Sequence, residues 1–409
     1  MTPKENLISD TPVISLKAQK NTGIDIMSKT EIVIESCYEI RYNKVSLDFE
    51  SRIINSDDNY STLNIDDLFV FLIKNGVNIT KDKLISLLKS SFIKNYDPID
   101  EYFDKLPNWD GRDYISELAD YFELENENEK PIFKKHLKKH FVRVIACAKD
   151  SKFVNKQAFI IISFEQNTGK TYFCRWTCPP KLSDYIAEDI STDKDSRILL
   201  TKNLLINIDE LAVMSKKDID SLKALFSKQQ INERLPYDRK NSILPRRCSF
   251  IGSTNKTDFL TDESGSVRWV CFEIKKINKD YSKKISIDSL YSQSMALYKT
   301  YKSNPEEFDC QLSPEEIIEN ERRNKKYQAI TMERELIEMH FKPDEKRHPA
   351  NFKTATEIIM RINTLTEGEF KNKLNNVQIG KALSMLKYPK GKDKNDRYGY
   401  FIIDQLVLT

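Results

Sequence analysis

The stretch Ala158-Phe159-Ile160-Ile161-Ile162-Ser163-Phe164-Glu165-Gln166-Asn167-Thr168-Gly169-Lys170-Thr171 decides the fold. Its first half is an unbroken apolar run, as expected of a strand buried on both faces. Its second half ends in Gly169-Lys170-Thr171 and runs into the helix-like YFCRW. Strand, loop and helix in that order turn backbone N–H groups toward an anion at a helix N-terminus. The phosphate-loop pattern G-x-x-x-x-G-K-[ST] adds a lysine for the phosphate oxygens and a hydroxyl for Mg²⁺. Lys170 and Thr171 fit those parts, and Gly169 permits close backbone approach. Phe164 stands where the pattern has its first glycine. Glu165, Gln166, Asn167, Thr168, Gly169, Lys170 and Thr171 form the candidate ATP-binding segment, with ATP and Mg²⁺ as the implied cofactors.

Three more apolar runs follow: LLINI (204–208), CSFIGS (248–253) and WVCFEI (269–274). Doubly buried strands alternating with helical segments predict an α/β core with a sheet flanked by helices. The 204–208 run ends in Asp209-Glu210, the shape of a Walker B element. Asp209 would complete a metal shell with Thr171, and Glu210 would polarise an attacking water. The third run ends in Ser253-Thr254-Asn255, where the Asn255 amide can orient that water. Arg268 follows shortly after, and arginine suits developing phosphoryl charge. Arg268 is the candidate finger reaching into a neighbour's site, so Lys170, Glu210, Asn255 and Arg268 are the expected catalytic residues.

Composition narrows the class. The chain has 409 residues, 39% hydrophobic, and its 65 Lys and Arg against 62 Asp and Glu leave a net charge of +3. Any basic surface must therefore be local. No apolar run approaches the ~18–20 residues of a membrane span, and the first residues lack the apolar stretch of a secretion signal. Seven scattered cysteines, odd in number and without a CxxC, argue for reduced thiols in a cytoplasm. His136 and His140 in KKHLKKHF read as one solvated basic helix face, Cys174 and Cys178 as packing residues, and Trp109, Trp176 and Trp269 as core anchors.

Residues 1–30 are polar and read as an arm. Residues 31–42 are β-rich and, through Asn43-Lys44, predict a small hairpin with VSLDF. Asp66-Asp67 and Asn75-Gly76 bracket a helix, Thr80 opens another, and helical patterns run to about Lys149. A long charged helix is expected over 313–340, then a linker over 341–352. The last stretch pairs helices with a basic turn and the aromatic strand YGYFII, the layout of a winged helix. Lys390, Lys392, Lys394 and Arg397 there could meet phosphates. Between the DE and STN elements, residues 234–247 read as a β-hairpin with Arg239 and Lys240 near its tip.

As a set, LPNWDGRDYI, EQNTGKT, LINIDEL, DIDSLKALFSK, ERLPYDRKNSILPRRCSFIGSTN and DESGSVRW resemble the virulence-associated E family over roughly residues 100–275. That resemblance implies an AAA+ ATPase core of the superfamily-three-like helicase kind, found in phages and mobile elements. It implies a homo-oligomeric ring, often a hexamer, with ATP between subunits and single-stranded DNA in a central pore lined by the 234–247 hairpin. The implied organisation is an arm at 1–30, a hairpin and helical region at 31–150, the ATPase core at 151–305, a helical connector at 306–350 and a winged-helix-like domain at 351–409. The expected function is a Mg-ATP-dependent helicase of element replication. Two rivals stay open: a nearly inactive DNA-binding initiator or regulator, motivated by Phe164, and a defence ATPase that does not unwind.

Overall fold

A computed structural model describes residues 25–188, 190, 194–209, 211, 216–234, 240–256, 259–260, 267–328, 331–370 and 373–405. The molecule is a mixed α/β protein whose sheets are flanked by helices.

The N-terminal region opens with helix α1 (Ile26–Cys37), capped by Asp25, whose carboxylate accepts from the Met27 and Ser28 N–H groups. Residues 31–37 are therefore helical, contrary to the β-rich reading. Thr30, Val33, Ile34 and Cys37 are its buried residues, a 3–4 spacing that outweighs β-branched composition. Strands β1 (Tyr38–Asn43) and β2 (Asp48–Ile53) form the hairpin, with β3 (Ser61–Thr62) beside β2. Helices α2 (Ile65–Lys74) and α3 (Lys81–Leu88) begin at Asn64 and Thr80, which supply the capping side chains. Strand β4 (Lys94–Tyr96) runs parallel to β1.

Helices α4 (Pro98–Asp104) and α5 (Tyr114–Asp120) follow, then strand β5 (Phe122–Leu124) and the long helix α6 (Lys130–Lys149). Between α4 and α5, Trp109 is only half-buried; its indole N–H donates to the Arg112 carbonyl at 2.7 Å. It stiffens the turn and is not a core anchor.

The central sheet comprises β5, β6 (Ala158–Ile162), β7 (Ile186–Glu188), β8 (Leu205–Ile208), β11 (Ser249–Thr254) and β12 (Trp269–Ile277), in the order β5-β12-β6-β11-β8-β7. All neighbours are parallel except the β5–β12 pair. The four apolar runs of the sequence are four of these strands. Strand alternation splits β6 between two cores. Phe159 and Ile161 join Phe133, Leu137 and Phe141 of α6 and Leu290 and Tyr291 of helix α11 (Ile287–Ser303). Ala158, Ile160 and Ile162 face the other side, with Leu200 of helix α8 (Lys194–Lys202) and Leu222, Leu225 and Phe226 of helix α9 (Lys216–Phe226). Helix α7 (Lys170–Trp176) follows β6, and helix α10 (Tyr281–Lys284) precedes α11.

Burial on α6 overturns the solvated-face reading of KKHLKKHF. His136 is 1% and His140 0% exposed, because α6 is packed between the sheet and the segments that follow it. Arg143 is also enclosed, its guanidinium donating to the Cys310 carbonyl at 3.1 Å. All seven cysteines are buried and free of disulfides.

Strands β9 (Gln230–Glu233) and β10 (Ser242–Pro245) form an antiparallel hairpin. Its first arm, Gln230–Glu233, lies upstream of the 234–247 stretch read as the hairpin. Residues 235–239, with Arg239, lie outside the described residues; Lys240 is exposed. Arg246 is 1% exposed, and its guanidinium donates to backbone carbonyls including Phe226 at 2.5 Å and Cys248 at 3.2 Å.

The charged stretch 313–340 is two helices rather than one. Helix α12 (Pro314–Asn324) ends in a 3-10 turn over Lys325–Tyr327, and Thr331 caps a new start for helix α13 (Met332–His340). Tyr327 is held there by its carbonyl, which accepts from the Leu260 N–H at 2.9 Å. The stretch read as a linker carries strands β13 (Phe341–Pro343) and β14 (Phe352–Lys353), each paired with the C-terminal strand β16 (Tyr398–Asp404). Helices α14 (Ala355–Leu365) and α15 (Asn376–Met385) pack Ile358, Ile362, Ile379 and Leu383 against Leu336 and Ile337 of α13. Strand β15 (Lys390–Lys392) completes a hairpin with β16.

Candidate functional site

The loop 163–169 leaves the carboxyl end of β6, in the middle of the sheet. Its first residue is fixed to one neighbouring strand, where the Ser163 N–H donates to the Thr254 carbonyl at 3.1 Å. Its end is fixed to the other, where the Ile277 N–H donates to the Thr168 carbonyl at 3.0 Å. The turn into α7 needs left-handed backbone at Asn167 (φ 60) and Gly169 (φ 97). Glycine takes that conformation without a Cβ penalty, and asparagine is among the side chains that tolerate it. Phe164 is 60% exposed, so its ring does not plug the loop. Glu165, Gln166 and Asn167 are exposed, while Thr168 and Gly169 are buried.

Lys170 is the first residue of α7, and its ammonium folds back over the loop. It donates to the carbonyls of Ser163 (3.2 Å) and Glu165 (3.0 Å) and to the Thr168 hydroxyl (3.1 Å). Partial burial lowers the ammonium's pKa, opposed by the nearby Asp209 charge. The Thr171 hydroxyl, one residue on, donates to the Asp209 carboxylate, with its oxygens at 3.2 and 3.1 Å. The Ser253 hydroxyl, near the end of β11, donates to the same carboxylate at 2.6 Å. Two motifs 38 residues apart thus meet at the carboxyl edge of the sheet. No motif in the sequence marks Ser253. The signal that could have found it is its place near the carboxyl end of an apolar strand that runs beside the Asp209 strand.

Asn255 is exposed, one residue past β11 at the same edge. Glu210 lies outside the described residues. Arg268 is not brought to this site. It precedes β12, whose Trp269 is paired with Ala158 at the start of β6. At ~3.3 Å per residue along β6, that is roughly 15 Å from the loop, at the opposite sheet edge. There its Nε donates to the Ser227 hydroxyl at 3.3 Å.

A second cation missed in the sequence is Lys279, just beyond β12. Its stem would lie 3.6 Å from a Cβ at Gly169, and its ammonium sits 5.6 Å from the Tyr172 ring centroid. No sequence motif marks it; only the fold brings residue 279 beside residue 169.

The arrangement offers backbone amides at a helix start, one ammonium beside them, and a hydroxyl–carboxylate pair. Thr171 and Asp209 are oxygen donors of the type a hard divalent cation takes. Among the described residues no group of three or more His, Cys, Asp or Glu could hold a metal ion. An ion here would therefore share its shell with ligand oxygens and water, as Mg²⁺ commonly does.

The candidate nucleic-acid residues fall in two places. On the β9–β10 connection only Lys240 is described. In the β15–β16 hairpin, Lys390, Lys392, Lys394 and Arg397 are all exposed. Two of them are spoken for internally: Lys392 pairs with Asp396 at 2.8 Å and Arg397 with Asp393 at 2.8 Å.

Fold and site together define an α/β protein with a lysine-bearing, glycine-ended loop at the carboxyl edge of a mainly parallel sheet. A family model for the virulence-associated protein E-like domain matches residues 103–329, more than half of the chain, and the chain belongs to that family. Among solved structures it is similar to the apo structure of the NrS-1 C-terminal region, at 10% identity over 94% of this chain and 100% of that one, with a TM-score of 0.46. It is also similar to the A form of that region, at 11% identity over 89% and 87% of the two chains, with a TM-score of 0.44. No curated protein matches the chain. Among the described residues, no helix is long and apolar enough to cross a membrane.

Proposed function

We propose that this chain is a Mg²⁺-dependent ATPase that acts on DNA as an oligomeric ring in the replication of a phage or mobile element. The observation that carries this reading is the meeting of Thr171 and Asp209 at 3.1–3.2 Å beside the Lys170 loop. The strand order supports it, since β11 lies between β6 and β8 and brings Ser253 to the same carboxylate. Ligands of open α/β sheets bind outside the carboxyl ends of the strands, which is where these residues converge. The core would then be a phosphate-loop core of the AAA+ type.

In this reading the loop amides of 165–171 cradle the phosphates, and Lys170 exchanges its carbonyl partners for phosphate oxygens. Thr171 and Asp209 hold Mg²⁺, which neutralises charge on the phosphoryl oxygens. Glu210 and Asn255 place the attacking water. Arg268, on the far edge of its own sheet, serves a neighbouring subunit's site, which fits a closed ring of about six copies. Arg239 and Lys240 meet single-stranded DNA in the pore. Helices α13–α15 and the β15–β16 hairpin form the winged-helix-like unit, with Lys390, Lys392, Lys394 and Arg397 on phosphates. We take 31–150, 151–305, 306–350 and 351–409 as the working divisions of a cytoplasmic protein.

The test is steady-state ATPase with and without single-stranded DNA, comparing wild type with Lys170→Ala. Turnover lost in the variant supports the reading, and equal turnover in both sinks it. Phe164, in place of the loop's first glycine, motivates the second reading of a nearly inactive DNA-binding regulator. That reading expects DNA binding with negligible turnover in wild type. A strand-displacement assay separates a helicase from a ring that hydrolyses without unwinding.

A further inference from the structure

The phosphate loop bridges two sides of the sheet. Its start is tied to β11, on the side that carries Thr171's partner Asp209 and the Ser253 hydroxyl. Its end is tied to β12, through the Ile277–Thr168 bond. A triphosphate with its metal-bound end at Asp209 must lead its other end toward β12. On that side Asn167 opens onto a cleft of about 1120 Å³ over the paired ends of β5 and β12. Its lining includes Tyr121 and Glu123 from the β5 segment and Lys276, Asn278 and Lys279 from the end of β12 and just beyond.

We propose that this cleft seats the nucleoside half of the ligand, with Tyr121 as the stacking platform for the base. The proposal rests on the ATP-binding reading above and extends it to base and sugar. Tyr121 is half-buried and held in place: its carbonyl accepts from the Asn278 N–H at 2.9 Å, and its ring lies 6.2 Å from that of Tyr281. An aromatic ring fixed beside a phosphate cradle offers a face to a base of any sequence. Glu123 is exposed in the same lining, an acceptor for sugar hydroxyls. Lys279, beside Gly169, stands between the cleft and the cradle, where the phosphate nearest the sugar would lie. At the start of the loop, by contrast, Phe164 is exposed and has no ring partner among the described residues.

The experiment compares binding of Mg-ATP and Mg-tripolyphosphate to the full chain by calorimetry, in wild type, Tyr121→Ala and Tyr121→Phe. Wild type should bind ATP at least about tenfold more tightly than tripolyphosphate, the scale of one base stacked on a ring. Tyr121→Ala should lose about that factor for ATP while tripolyphosphate binding stays within about twofold, and Tyr121→Phe should keep both. Equal affinities for the two ligands in wild type would overturn the proposal, as would an unchanged ATP affinity in Tyr121→Ala. Tyr121→Ala weakening both ligands alike marks a folding defect, and the wild-type ratio then decides. If wild type binds neither ligand, the ATP-binding reading itself has failed and the cleft assignment falls with it.

Discussion

Gly252→Ala tests whether the sheet's spacing sets the site. Gly252 lies in β11, paired with Ile208 of β8. A Cβ there would meet the Ile208 carbonyl oxygen at 2.5 Å, and Ile160 Cδ1 and Ile208 Cβ each at 3.2 Å. An ordinary C···O approach is roughly 3.3 Å or more, so the shortfall against the oxygen is about 0.8 Å. The obstructing atom is backbone in a fully buried strand, so β8 must move away from β11. Overpacking of this kind costs roughly 1–3 kcal/mol. The residue after Ile208 is Asp209, and the one after Gly252 is Ser253, joined at 2.6 Å. Stretching that charge-assisted bond adds about 1.5–3 kcal/mol if it is lost. The expected destabilisation is about 1–3 kcal/mol if the bond survives and about 2.5–6 kcal/mol if it is lost, a large part of a domain's ~5–15 kcal/mol. Urea unfolding followed by tryptophan fluorescence reads the core directly, because Trp269 is buried in it. Amide exchange would show β8 and β11 opening first. A variant within about 0.5 kcal/mol of wild type would refute the claim that close β8–β11 contact at this residue fixes the carboxylate.

Three further outcomes follow from the structure. Arg268→Ala should cut kcat by about 10³ while leaving ATP binding intact. Mixing it with Lys170→Ala should restore part of the turnover, since mixed rings contain sites with both residues; no recovery would place Arg268 outside any shared site. His136 and His140 are pushed from the ordinary 6.5 down to about 3, chiefly by burial. Each is neutral in the fold and protonates more readily when unfolded. Stability should therefore be full above pH 6.5 and fall below it, by up to ~1.4 kcal/mol per pH unit for each histidine. Denaturant midpoints from pH 7.5 to 5 check this, and a His140→Phe variant should flatten the slope. In the β15–β16 hairpin, Lys390→Ala with Lys394→Ala should reduce the salt slope of duplex DNA binding by about two. Lys392→Ala should move it less, because Asp396 already holds that ammonium. Fluorescence anisotropy across a salt series distinguishes the two, and an unchanged slope in the double variant would remove this hairpin from the interface.

Much of the core was legible because doubly buried strands leave continuous apolar runs. The runs at 158–164, 204–208, 248–253 and 269–274 each became a strand. The helix start read at Asp66-Asp67 fell within about two residues of the observed cap, Asn64, and Thr80 was legible as a cap because capping chemistry is local. Residues 31–37 misled because β-branched side chains can also line a helix face. The short strands β13 and β14 were illegible, since two or three residues carry no periodicity and are held by β16, far along the chain. His136 and His140 looked solvated because their burial depends on the segments that cover α6. In the site, Lys170, Thr171 and Asp209 were legible from motif and context. Ser253 and Lys279 were not, because only the strand order and the end of β12 bring them to the loop.

The most direct test is calorimetric titration of ATP, with Mg²⁺ present, into wild type and into Lys170→Ala. The predicted result is a saturable heat in wild type that weakens on removing Mg²⁺ and is lost in Lys170→Ala. No heat in wild type, or the same heat in both proteins, would contradict the assignment of the 165–171 loop as a nucleotide site.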